Sequence, residues 1–363
     1  MKDSAPSNNF TPPASIKGDV KSVASRRAKP KPEPTPLAAY SSVSFVCGYN
    51  RGERLNGDRR LEVDLCARLS DGLNIPSHFF STDDDYEKDD DGKTLYIAVH
   101  CRLPERLKPV SICINNDRNN FRNYGDFYFE PFFKPFIGEF PENAHVYPIN
   151  ILPSRATQKN IASELIKEPF SSDGKPVIAL MLRGPRLYDL VKIKQIAESL
   201  QQKHQARFLI STGPRSYSGP EEIIQTLFKD LDHVQMFLWD MSCGAQNPYL
   251  WMLGAATHLV TSGTISTTSD LLATGKPVYY TDIPPLCSYD GKLKDELLAK
   301  NAVGHFDDQM LDRAPPPDKI RRKFQKSWIE LSRRFCKDLN ALLQRRNNQF
   351  QPDSRITTQV TNG

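Results

Sequence analysis

Residues Asn247 to Asp282 read NPYLWMLGAATHLVTSGTISTTSDLLATGKPVYYTD, and this stretch decides the fold. Asn247 suits a helix N-cap and Pro248 a first helical position, where the missing N–H costs nothing. His258 to Thr261 is a short apolar, β-branched run that ends at Ser262-Gly263. A second helix opens through Thr264, Ser266, Thr267, Thr268 and Ser269 and stops at Gly275, with Pro277 beyond it. Val278 to Thr281 returns as a strand. Strand, Gly turn, hydroxyl-rich helix start and strand form a βαβ unit. Its helix N-terminus presents free N–H groups and suits a phosphate or pyrophosphate. The same hydroxyls also suit plain helix capping, and the stretch alone does not separate the two.

Working outward, the linker SSDGK precedes a regular alternation. Strand VIALML leads into loop RGPRLY and a helix from Asp189 to about His204. Strand RFLIS leads into loop TGPRSYSGP and a helix from Glu221 to about Lys229. Strand QMFLWD leads into MSCGAQ and the opening stretch. Strands alternating with helices predict a doubly wound parallel sheet. Its carboxyl edge then collects Arg183, Gly184 and Arg186 after one strand, and Thr212, Gly213 and Arg215 after the next. Asp240 ends the third strand, and Ser262, Gly263, Thr264 and Ser266 follow the fourth. Arginines, a helix N-terminus and Gly turns are the groups that hold a pyrophosphate. No residue set fixes a cofactor; a nucleotide or nucleotide sugar is the ligand this edge admits.

Towards the N-terminus the signals are weaker. SVSFVCG, from Ser42, reads as the first strand, and the following helix carries Leu61, Leu65, Ala67, Leu69 and Leu73 on one face. DDDYEKDDD lacks the Gly and terminal Glu of a calcium loop and reads as a solvated hairpin. TLYIAVH and SICIN are further strands. YGDFYFEPFFKPFIGEF holds eight aromatics and reads as a wedge packing one domain on the other. His100 and His145 stand alone, without ligand spacing. Seven scattered cysteines (Cys47, Cys66, Cys101, Cys113, Cys243, Cys287, Cys336) form no CxxC and favour free thiols in a reducing compartment.

Charge divides the chain. The total is +5, with +4 over residues 1–38 and +7 over residues 318–363, leaving −6 between them. Residues 1–38 and 352–363 are poor in apolar side chains and are expected to be disordered. In Asp318 to Asn347, Ile320, Phe324, Trp328, Leu331, Phe335, Leu339 and Leu342 make one helical stripe beneath a basic surface. That helix suits an anionic membrane or a partner's groove, or it packs across the two domains. No run reaches the roughly 20 apolar residues of a membrane span, and the N-terminus lacks the order of a secretory signal. Basic ends suit an anionic surface, and no nucleic-acid partner is expected.

The segments LMLRGPR, FLISTGPR, FLWD and NPYLWMLGAATHLVTSGTISTTSDLLATGKPVYY resemble the mitochondrial fission ELM (elongated mitochondria) family. Asn247-Pro248-Tyr249, Thr261, Ser266, Ser269 and Thr274-Gly275-Lys276-Pro277-Val278-Tyr279 carry the match, with Asn247, Pro248, Tyr249 and Thr274 to Pro277 as its structural motif. Gly263 stands where that family usually has an acidic residue, and Asp270 where it has Glu. The resemblance implies two Rossmann-like α/β domains facing a cleft, as in GT-B glycosyltransferases, over residues 40–172 and 175–316. It also implies a peripheral mitochondrial or cytoplasmic protein that helps recruit a dynamin-type GTPase. A glycosyltransferase using a nucleotide-activated sugar is the alternative, although the N-terminal half offers no evident catalytic base.

Overall fold

The computed structural model describes residues 36–48, 57–82, 84–87, 92–114, 125–131, 140–154, 156–167, 173–183, 187–213, 218–239, 241, 248–285 and 287–349. The first half builds β1 (Ser42–Cys47), α1 (Gly57–Ser70), β2 (Ser77–Ser81), β3 (Thr94–Val99), β4 (Val110–Ile114), β5 (Phe127–Pro131) and β6 (His145–Ile149). These strands form one parallel sheet in the order β2-β1-β3-β4-β5-β6. Its central strands are apolar along most of their length because helices cover parallel sheets on both faces. Val43, Phe45, Val46 and Cys47 of β1 are all buried.

The second half follows α2 (Gln158–Lys167). It comprises β7 (Val177–Met181), α3 (Leu187–His204), β8 (Arg207–Ser211), α4 (Ser218–Phe228), β9 (Val234–Phe237), α5 (Tyr249–Ala255), β10 (His258–Thr261), α6 (Ile265–Ala273), β11 (Val278–Tyr280), α7 (Ser288–Ala299), β12 (Gly304–His305) and α8 (Asp318–Gln349). The sheet order β12-β11-β10-β7-β8-β9 is again all parallel. Counted from β7, this is the 3-2-1-4-5-6 order of dinucleotide-binding sheets, read from the other edge. The expected pair of doubly wound sheets is therefore present. The order reverses between β7 and β10, so the loops after those two strands diverge there.

Three readings of the sequence change. The aromatic segment expected to be a wedge contains β5, and 132–139 lie outside the described residues. The N-terminal tail ends earlier than expected. Pro36–Ala39 is a short 3-10 helix with Leu37 buried, and the Leu37 N–H donates to Asn340 Oδ1 at 3.0 Å. One leucine suffices because α8 supplies both the pocket and the acceptor. Pro248 occupies the cap position of α5 and not its first turn, since the helix begins at Tyr249. Asn247, the expected cap, lies outside the described residues.

Helix α8 returns from the second half to cover the first. Trp328, Phe335, Leu339 and Leu343 are buried. Trp328 stacks near Phe129 with centroids 6.3 Å apart, and Phe335 meets Phe127 edge-on at 4.9 Å. The Tyr147 hydroxyl donates to Asp338 at 2.7 Å, the Ser332 hydroxyl donates to the Arg68 carbonyl at 3.0 Å, and the Cys336 thiol meets the Gly72 carbonyl at 2.9 Å. A side chain at Gly72 would collide with Ser332, so the end of α1 lies directly against α8. From Trp328 to Leu339 the expected stripe is therefore spent on packing, while at its end Leu343 and not Leu342 is the buried leucine; the side chains of Ile320 and Phe324 lie outside those described. Trp328→Ala should lower stability by about 3–5 kcal/mol, read as the shift in denaturant midpoint; an unchanged midpoint would mean that the stripe is free.

Candidate functional site

The candidate edge lies where β7 and β10 end side by side. The Ser262 N–H donates to the Met181 carbonyl at 3.3 Å, and the Arg183 N–H donates to Ser262 Oγ at 3.0 Å. The Ser262 hydroxyl faces the Arg183 carbonyl at 3.4 Å. Ser262 thus ties the two loops together through the backbone. Gly184 and Arg186 lie outside the described residues, as do Arg215 and Asp240. Arg183 itself is half-buried.

Gly263 has φ +98°, the left-handed half of the map that glycine enters at little cost. Its N–H donates to Thr261 Oγ1 at 3.0 Å. A Cβ there would lie 3.1 Å from the Tyr280 ring. The glycine is required by its own backbone and by that ring, whatever a ligand demands.

Thr264 caps α6. Its Oγ1 accepts from the Thr267 N–H at 3.4 Å, and its hydroxyl donates to Thr267 Oγ1 at 2.8 Å. The next N–H, on Ile265, donates to Asp290 Oδ1 at 2.9 Å. Asp290 is buried and comes from α7, so the chain places one of its own carboxylates at the positive end of α6. Ser266 is half-buried in the first turn, and the Thr268 hydroxyl pairs with the Tyr280 hydroxyl at 2.9 Å. Of these hydroxyls, Thr264 is the one that caps the helix. Nothing in the sequence spacing pointed to Asp290, which sits 25 residues from the group it meets.

The loops after β8 and β9 are also tied internally. Thr212 Oγ1 contacts a carboxylate oxygen of Glu221 and accepts from the Trp239 N–H at 2.8 Å. Glu221 is fully buried and also accepts from the Met241 N–H at 3.0 Å. Gly213 follows Thr212 half-buried.

The motif residues of the opening stretch face the other way, toward the segment that joins the halves. The Tyr249 hydroxyl donates to Asp270 Oδ2 at 3.1 Å, and the Ser154 hydroxyl donates to Asp270 Oδ1. The Leu152 N–H donates to Ser269 Oγ at 3.0 Å. Arg68 Nε donates to the Ser154 carbonyl at 2.8 Å. Burial pulls the Arg68 guanidinium below its ordinary value, while Asp71, Asp64 and Asp270 push it back.

Thr274, Gly275, Lys276 and Pro277 form a helix stop. The Thr274 hydroxyl donates to the Leu271 carbonyl at 2.6 Å and its oxygen accepts from the Lys276 N–H at 3.1 Å, with Gly275 at φ +77°. Lys276 Nζ donates to the carbonyls of Leu253, Gly254 and Ala256 at 2.7, 2.6 and 2.6 Å. It closes the C-terminus of α5, whose last carbonyls have no helical donor. Burial pulls this ammonium down to about 8 from 10.5.

In the first half, His100 is not alone. Its Nδ1 lies 2.9 Å from Glu62 Oε1, and its Nε2 accepts from the Ile114 N–H at 2.8 Å. The Ile114 contact leaves the proton on Nδ1, donated to Glu62. Both ring nitrogens are used to tie α1 to β4. The two residues are 38 positions apart, which is why the sequence hides the pair.

Comparison with known proteins follows from this geometry. A family model described as Mitochondrial fission ELM1 matches residues 130–349. No curated protein matches the sequence. Among solved structures, the chain is similar to CalG4, the calicheamicin glycosyltransferase, with a TM-score of 0.47 and 10% identity over 84% of this chain and 99% of that one. It is also similar to sucrose-phosphate synthase from Thermosynechococcus elongatus, with a TM-score of 0.43, 10% identity and coverage of 84% and 100%. A UDP-GlcNAc 2-epimerase from Neisseria meningitidis bound to UDP-GlcNAc gives 0.40, 11%, 85% and 100%.

Two outcomes are expected. Asp290→Ala should cost about 1 kcal/mol through the lost helix-end contact. Inorganic pyrophosphate should then raise the melting temperature of the variant and not that of the parent; equal responses would show that anions bind beside Asp290. For Lys276 the folded value lies below the unfolded one, so from about pH 8 to 10.5 only the unfolded chain keeps the proton. Stability should therefore rise with pH across that window in the parent relative to Lys276→Met. The variant should also be weaker near pH 7 by about 2 kcal/mol, from carbonyls left without a donor. Parallel pH profiles for the two proteins would contradict this.

Proposed function

The chain belongs to the mitochondrial fission ELM1 family, and on that premise we propose that it acts as a peripheral adaptor in mitochondrial fission, engaging a dynamin-type GTPase. The observation that carries the reading is the state of the carboxyl edge of the second sheet. Where a nucleotide diphosphate would be held, Asp290 takes the first N–H of α6, Thr264 caps the same helix and Ser262 serves the backbone of Arg183. Among the described residues of the site, Ser262, Thr264 and the Ile265 N–H are thus engaged by the protein's own architecture.

The first half supports the same view. A transferase needs a base or acid from that half within reach of the donor, and His100 has both nitrogens engaged by Glu62 and Ile114. The matched residues Tyr249 and Ser269, together with Asp270, hold the joining segment. A scaffold of this kind offers a rigid surface to a partner. No helix among the described residues is long and apolar enough to cross a membrane, which fits peripheral attachment.

The test is retention of a purified dynamin-type GTPase by the immobilised full chain, beside calorimetry with nucleotides and nucleotide sugars. Retention without nucleotide-sugar binding at millimolar concentration is the expected result. Absence of retention, together with transfer of sugar from a bound nucleotide sugar, would replace the adaptor by the glycosyltransferase.

A further inference from the structure

We infer that the outward face of α8 is a docking surface for an anionic phospholipid bilayer. The helix from Asp318 to Gln349 holds ten Lys and Arg against three Asp and Glu, a net +7. From Trp328 onward its apolar side is turned to the body, with Trp328, Phe335, Leu339 and Leu343 buried, so these side chains do not meet lipid. What the fold leaves outside is a line of Arg322, Lys326, Ile329, Arg333 and Lys337, all exposed. Their spacing of 4, 3, 4 and 4 keeps them on one side of the helix over about 22 Å.

The cations of this line differ from their neighbours. Arg334 lies over the Tyr147 ring at 5.0 Å, and Arg346 donates to Asp126 at 2.8 Å, so both serve the fold. Arg322 is paired with Asp318 at 2.5 Å. Among the described residues no ion pair holds Lys326, Arg333 or Lys337. Asp318, at the start of the helix, and Glu330 are acidic neighbours on this face.

Two observations select a lipid surface over an acidic polypeptide. Ile329 stands 53% exposed in the middle of the cationic line, where an apolar side chain gains by entering the headgroup boundary. The charge is also polarised on the scale of the whole chain. Residues 39–317 carry −6, and α8 carries +7. An anionic plane therefore attracts this pole and repels the rest, which fixes orientation as well as binding.

The experiment is sedimentation of the full chain with vesicles of phosphatidylcholine alone or mixed with phosphatidylserine, at low and high salt. The parent should sediment with the mixed vesicles only and lose binding as salt rises. The triple variant Lys326→Glu, Arg333→Glu, Lys337→Glu should bind them about 100-fold more weakly, given the contribution of each cation at an anionic surface. A control reversing exposed Lys159, Lys229 and Lys292 should bind as the parent does. Melting curves confirm that each variant is folded, and Arg333→Gln with Lys337→Gln gives a milder pair should the triple variant unfold. No binding to mixed vesicles overturns the inference, as does equal loss in the control. Capture of the parent by polyglutamate with vesicles ignored assigns the face to an acidic protein and overturns it too. The vesicle assay contains no GTPase, so its outcome is independent of the adaptor's partner.

Discussion

The structure turns on a buried carboxylate. Asp270, on the inward side of α6, is met by the Tyr249 hydroxyl from α5 and by the Ser154 hydroxyl from the segment leading out of the first sheet. Ser154 also accepts from Arg68 of α1 through its carbonyl and from the Ala156 N–H through its Oγ at 2.9 Å. Four pieces of chain thus converge on one anion. A buried carboxylate is costly unless its oxygens are bonded, and removing a partner exposes the full cost of burial. Around it one apolar cluster runs from Phe45 and Phe129 through Ile151 and Trp251 to Leu271. At Gly254 a side chain would come within 2.8 Å of Ile161 and Leu165, so α5 and α2 pack at backbone distance.

That constraint accounts for the division of labour along α6. One end carries the Thr264 cap and the Asp290 contact at the sheet edge; the other carries Ser269 and Asp270 into the seam. Lys276 then reaches back to close α5, so the stretch after the helix also serves the helix before it. Tyr249, Ser269, Thr274 and Lys276 all make contacts that assemble the body. Helix α8 completes this body by binding the second half to the first.

Much of this was legible in the sequence because local signals and tertiary packing agree. The strand His258–Thr261, the Thr264 cap and the Gly275 stop follow from β-branched residues, a hydroxyl and a glycine at the positions where each is favoured. The apolar spacing of α8 gave its buried face, with Leu343 taking a place in the core. Other features were hidden for a physical reason. β5 and β6 carry Pro131 and Pro148 and many aromatics, so their period is obscured. The partners of Ser262, Ile265, His100 and Asp270 come from 79, 25, 38 and 116 residues away, and no local pattern encodes such distances. The anion site was read from free helix N–H groups; that Asp290 takes the Ile265 N–H was hidden, because it lies 25 residues away.

Ser154 and Asp270 act as one unit holding the two halves, and a double-mutant cycle measures this directly. Ser154→Ala, Asp270→Asn and the double variant are unfolded in urea beside the parent. A coupling energy of about 1–3 kcal/mol is expected, with the double variant little worse than the worse single one. Strictly additive losses would mean that the two groups do not depend on each other, and the carboxylate would no longer be what joins the halves.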